Sequence, residues 1–217
     1  MYVVPYSKRE QPTMAVSVSD IANNLKSDPD ISNLKLDGNV LTYTMFNTTD
    51  VKIVENIDEY GVCVLEITEG DKTDSLTFDT SNNKIMLNDD IIEVELVESY
   101  VFQKDTLLES NSTSSSWVYY GVIYPNLRAE QSIRNIPLAA LTTLFLGSFG
   151  WKGTITGFVQ SVISTLNSAN NDTKSIYCIR NIYRTSDGYY LFKYYDALYA
   201  DSSYNFHIKT RIWEQYE

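Results

Sequence analysis

Histidine occurs once in this 217-residue chain, at His207, and cysteine only twice, at Cys63 and Cys178. With one imidazole and no C-x-x-C spacing, no zinc site, thioredoxin-type pair or histidine-dependent hydrolase is expected. Lys and Arg together number 17 against 28 Asp and Glu, a net charge of −11. A chain so poor in cations lacks the clustered basic surface that tracks a phosphate backbone, so no nucleic-acid partner is expected. Glycine (9) and proline (5) are too few for collagen-like or low-complexity material, and a 43% hydrophobic share excludes a disordered chain. No H-E-x-x-H, G-x-S-x-G, P-loop or dinucleotide fingerprint occurs. Asp28-x-Asp30 and Asp71-x-x-Asp74 lack the ligand run and closing Glu of a calcium loop. His207 alternates with Phe206 and Ile208 like a strand residue. The expectation is therefore no catalytic residue, no cofactor and no metal: not an enzyme.

What charge there is falls unevenly. Residues 1–110 carry 8 Lys and Arg against 21 Asp and Glu, whereas residues 111–217 carry 9 against 7. The sign changes at the Ser-rich run Ser110–Ser116, which reads as a linker or exposed loop. This predicts an acidic strand-rich region over 1–110 with a short N-terminal helix, a linker over 111–116, and a second region over 117–217. Met1-Tyr-Val-Val-Pro-Tyr has no basic start, long apolar stretch or small-residue cleavage site, so no signal peptide is read. Abundant Asn, Ser, Thr and Tyr nonetheless suit an exported bacterial chain, secreted or at the cell surface. Cys63 and Cys178, each in an apolar strand-like setting, fit either a disulfide between the halves or two core thiols.

Local patterns supply the elements. Ser19-Asp20 before Val18, Ile21 and Leu25 spacing reads as a capped short helix ending near Ser27, with a second helical turn around Asp30–Leu34. From Leu36, short β-branched and aromatic runs separated by Asp-Gly, Glu-Gly and Asn-rich turns predict antiparallel strands. Ile92, Val94 and Leu96 alternate with Glu93 and Glu95, as in a sheet with one wet face. Beyond the linker, Trp117–Tyr124 reads as a strand.

Asn135 to Asn171 holds Lys152 as its only charged side chain. Ile155, Phe158, Val159, Val162, Ile163 and Leu166 follow a helical stripe, and Gly147, Gly150 and Gly153 turn the chain between two helices. This predicts a helical hairpin whose helices are too short to span a bilayer comfortably. It reads either as core or as a membrane-active element contacting lipid through Phe145, Phe149, Trp151, Lys152, Phe158, Val159 and Val162. Residues 175–216 hold nine of the 17 tyrosines. They predict strands with an aromatic face, and Tyr190, Tyr194, Tyr195 and Tyr199 are the candidates for a ligand platform. The fold class expected is α+β: an antiparallel meander sheet with an N-terminal helix, followed by an apolar helical hairpin packed on Tyr-rich antiparallel strands.

An acidic strand-rich first part, the nearly uncharged Ile136–Leu166 segment and the tail YCIRNIYRTSDGYYLFKYYDALY together resemble, over residues 115–217, the geobacillin-like large secreted bacteriocins of Gram-positive bacteria. The resemblance rests on composition and order, and it transfers no functional residue. It implies an exported, non-enzymatic antibacterial or cell-envelope protein. Two functions are expected: a bacteriocin-like toxin whose hairpin meets the bacterial membrane, or a surface-binding, adhesin-like module using the tyrosine sheet. Oligomeric state is not legible here.

Overall fold

A computed structural model describes residues 16–79, 84–101, 117–185 and 191–216. The chain enters through α1 (Val18–Leu25), started by Ser17, whose hydroxyl accepts from the Asp20 amide while the Asp20 carboxylate accepts from Ser17. This reciprocal pair satisfies two amides that a helix start leaves open. Seven strands follow: β1 (Ile31–Asp37), β2 (Val40–Met45), β3 (Thr49–Ile57), β4 (Cys63–Glu69), β5 (Lys72–Asp79), β6 (Lys84–Leu87) and β7 (Asp90–Val101). Then come β8 (Trp117–Ala129), α2 (Leu138–Ser148), α3 (Thr156–Ser168), β9 (Ser175–Thr185), β10 (Leu191–Tyr199) and β11 (His207–Tyr216).

The eleven strands of the described residues form one antiparallel sheet in sequence order, β1 to β11. The fold class expected from the sequence is thereby corrected. The molecule is mostly this single sheet with three short helices, not an acidic meander followed by a helical hairpin packed on a separate set of Tyr-rich strands. β7 pairs with β8 from Ile92↔Ala129 to Val101↔Gly121, across the point where the charge balance reverses. Strand pairing depends on backbone hydrogen bonds and on which face is apolar, and the change of surface charge interrupts neither. The helical turn expected around Asp30–Leu34 is also corrected, because Ile31–Asp37 pairs with β2 as a strand. The N-terminal residues 1–15, the Ser110–Ser116 run, the Ser186–Gly188 turn and Tyr190 lie outside the described residues.

The sheet must curl. Laid flat, eleven strands about 4.8 Å apart would separate β1 from β11 by roughly 48 Å. Yet α1 packs on β1, β2 and β3, α3 packs on β11, and α1, α2 and α3 touch in succession. The inner side chains of the strands, from Leu41 and Ile53 through Leu76 and Leu127 to Cys178 and Trp213, join the helices in one continuous apolar core. α2 is buried from Ala139 through Leu146, so it is apolar all round and lies enclosed. α3 buries Thr156, Val159, Val162 and Leu166 and turns Gln160 to solvent, which fits its one-sided stripe. No helix of the described residues is long and apolar enough to cross a membrane.

Candidate functional site

Two places concentrate the residues singled out in the sequence: the seat that holds α2 and α3 inside the sheet, and the outer tyrosine face of β8–β11.

The seat is built around the loop between α2 and α3. Gly150 (φ 62°) and Gly153 (φ 75°) adopt the left-handed conformation that reverses the chain there. Between them Trp151 is fully buried, stacked on Phe145 at 4.7 Å and edge-on to Phe158 at 5.3 Å. Its indole N–H donates to Asp196 Oδ2. Asp196, also fully buried, sits on β10 between Arg180 of β9 and Arg211 of β11, each its direct cross-strand partner. Arg180 grips it with two bonds, Nε to Oδ1 at 2.7 Å and Nη2 to Oδ2 at 2.8 Å. The Trp213 indole adds a further bond to Oδ2 at 3.0 Å.

Two guanidiniums against one carboxylate leave one buried positive charge in excess. Loop carbonyls take it up: Arg180 Nη2 donates to Phe149 O, and Arg211 Nη2 to the carbonyls of Lys152 and Thr154. Burial works against the Arg180 charge, but the field and hydrogen bonds of Asp196 outweigh it and its pKa is raised. Arg211 is pushed down to about 10, chiefly by burial against the pull of Asp196, and stays cationic at neutral pH. Burial drives the Cys178 thiol well above its ordinary range, with Asp196 adding to the effect.

Neither α2 nor α3 carries a side-chain cap of its own, because Pro137 and Ile155 occupy their N-cap positions. Carboxylates from elsewhere do the work. Glu69 at the end of β4 accepts from the Ala139 amide at 2.8 Å, and buried Asp28 accepts from Ile155 and Thr156, each at 2.8 Å. These negative groups also sit where the helix dipoles favour them. Tyr43, buried beside the same two carboxylates, has its phenol pushed upward by burial first, then by Glu69 and Asp28.

The proposed membrane contacts therefore lie inside. Phe145, Phe149, Trp151, Val159 and Val162 are buried, Phe158 is half-buried, and only Lys152 is exposed. Lipid contact through them requires the helices to leave the sheet.

The platform tyrosines divide by strand parity. Tyr194 points inward with Asp196, stacked on Trp213 at 4.2 Å beneath the Arg180 guanidinium. Tyr195 and Tyr199, one step out of phase, face away from the helices. There Tyr195 meets Tyr183 edge-on at 5.2 Å, and Tyr183 meets Tyr119 at 5.5 Å, so three rings cross β10, β9 and β8. Ile212, paired with Tyr195, continues the row onto β11 at 56% exposure. A second group gathers Tyr124, Tyr177 and Tyr199 around Tyr204 in the β10–β11 turn, and Tyr199 also meets His207. The sequence reading missed Tyr119 and Tyr183, and it missed the Arg180–Asp196–Arg211 line. A signal for both existed: residues two apart along β9 and β10 share a face, and Asp196 is a lone acid in an apolar strand.

Among the described residues no group of three or more His, Cys, Asp or Glu is placed to hold a metal ion. Cys63 and Cys178 are free thiols. The class these features define is a curled, eleven-stranded antiparallel sheet closed over three helices, with an aromatic outer face. Compared with protein-family models, curated proteins and solved structures, the chain matches none.

Proposed function

We propose that this chain is an exported bacterial protein that acts by contact, not catalysis, using the outer face of β8–β11 to bind the bacterial cell envelope. The observation that carries this reading is the edge-to-face row Tyr119–Tyr183–Tyr195 with exposed Ile212 at its end. Large rings fixed by their neighbours offer contact area at little conformational cost, while their hydroxyls remain available to a polar ligand. The test is binding of the labelled protein to intact bacteria and to isolated cell walls. Tyr183→Ser and Tyr195→Ser should lower binding while the melting temperature of the protein stays within a few degrees.

A second reading, the membrane-active toxin, has one specific support. The apolar helices depend for their N-terminal caps on Asp28 and Glu69, residues outside the helices. Loss of those contacts would free α2 and α3 together. Dye release from anionic vesicles that increases in Asp28→Asn would favour this reading over the tyrosine face.

A further inference from the structure

On the outer face at the far side of the sheet, β1 to β4 hold a shallow cleft of about 420 Å³. Its floor is one cross-strand row: Lys35 opposite Thr42, Thr42 opposite Lys52, and Lys52 opposite Thr68. The alternation that sends Leu41, Tyr43, Val51, Ile53 and Ile67 into the core sends these four outward. Lys35 and Lys52 are two strands apart, about 10 Å at the backbone, so their flexible stems can bring both ammoniums over Thr42. Neither lysine has an ion pair or side-chain hydrogen bond among the described residues. Two unpaired cations therefore share a cleft in the half of the chain that carries 21 acids against 8 bases.

The cleft's other wall is arranged differently. Between Ser32 and Lys35 the β1 register slips, and Asn33 takes a left-handed conformation (φ 55°). Such a bulge bends an edge strand and re-aims its side chains. Here it brings Asn33 to donate to Thr44 Oγ1 at 3.3 Å, and Thr44 in turn donates to Asp50 Oδ1 at 2.9 Å. Asp50 is thus fixed in place with its second oxygen unpartnered among the described residues.

We propose that this cleft binds a phosphorylated sugar or polyol. Lys35 and Lys52 take the phosphate, the Thr42 hydroxyl supplies a third donor, and Asp50 accepts from a ligand hydroxyl. A carboxylate beside the cation pair disfavours a bare anion and selects one that brings its own donors. The site is separate from the tyrosine face and stands or falls independently of it.

Amide NMR spectra titrated with glucose 6-phosphate, inorganic phosphate and glucose at constant ionic strength test the assignment. Glucose 6-phosphate should produce saturable shifts centred on Lys35, Thr42 and Lys52, with inorganic phosphate weaker and glucose silent. Lys35→Gln and Lys52→Gln, both on the solvent face, should each weaken binding about tenfold. Asp50→Asn should narrow the preference for glucose 6-phosphate over inorganic phosphate. Absence of saturable shifts at the cleft, shifts unchanged in the lysine variants, or shifts spread over every lysine would overturn the site. Equal binding of the two phosphates by the unaltered protein would overturn the role given to Asp50.

Discussion

Asp28 Oδ2 accepts hydrogen bonds from Ile155 and Thr156, so a residue just past the first helix caps the third helix 127 positions later. The neighbouring Asp30 carboxylate lies over Gly157, occupying the space a side chain there would need. These contacts tie the acidic first half of the chain to the nearly uncharged helical segment inside the curled sheet.

Removing that cap should destabilise the whole molecule. Asp28→Ala leaves two buried amides without an acceptor and should cost about 2 kcal/mol or more. Asp28→Asn keeps one acceptor oxygen and should cost roughly half as much. Urea denaturation midpoints measure both. A local role would instead show as an unchanged midpoint.

Asp196→Ala should be more damaging. It strands two buried guanidiniums and two indole N–H groups, and the expected loss is about 3–5 kcal/mol. Trp151 and Trp213 both donate to this carboxylate, so the tryptophan fluorescence and near-ultraviolet circular dichroism should change with it. Unaltered tryptophan spectra would mean that the seat does not position the loop.

The two thiols should behave differently. Burial raises Cys178 well above its ordinary range, and it is fully enclosed; Cys63 is half-buried and is raised by burial and by Glu55. In the native protein a thiol reagent should modify Cys63 slowly and leave Cys178 untouched, and denaturant should release both. Modification of neither thiol after unfolding would reveal a disulfide.

Asp201 organises the turn that carries Tyr204. Its carboxylate accepts from the Phe206 amide at 2.6 Å and from Asn205, and these backbone bonds, Phe206 first, lower its pKa below the usual 3.8. A depressed carboxylate pKa contributes stability that is complete above the unfolded value and lost as pH falls through the folded one. The Asn205 and Phe206 amide resonances should therefore titrate below pH 3.8, the ordinary carboxylate value. Asp201→Asn should abolish that step. A titration at or above the ordinary value would contradict the loop's dependence on Asp201.

Strand periodicity was readable in individual segments such as Ile92–Glu95, where apolar and acidic residues alternate against the core. The joining of those segments into one sheet was not. Register between β7 and β8 depends on backbone pairing across residues whose composition suggested a boundary, and the pattern within one strand carries no information about its neighbour. β1 was misread because Ser32, Asn33 and Asp37 lack β-branched character; its strand form is imposed by pairing with β2, a tertiary effect that local propensity does not register. At the site, the apolar helical stripe pointed to Val159 and Val162, which lie in the core, but the stripe does not show that their helix is capped by Asp28, 127 positions earlier than Ile155. Of the tyrosines, Tyr194 and Tyr195 are adjacent in sequence and lie on opposite faces, a distinction that required only the strand phase set by Asp196.

The proposed function puts binding on the outer tyrosine face and leaves the helices as core. Its most direct test is a single binding series on intact bacteria, comparing the unaltered protein, Tyr195→Ser and Asp28→Asn. Tyr195→Ser should lose cell binding with its melting temperature nearly unchanged, whereas Asp28→Asn should melt earlier but still bind below its transition. Full binding by Tyr195→Ser, or membrane permeabilisation that rises as the Asp28 cap is weakened, would contradict it.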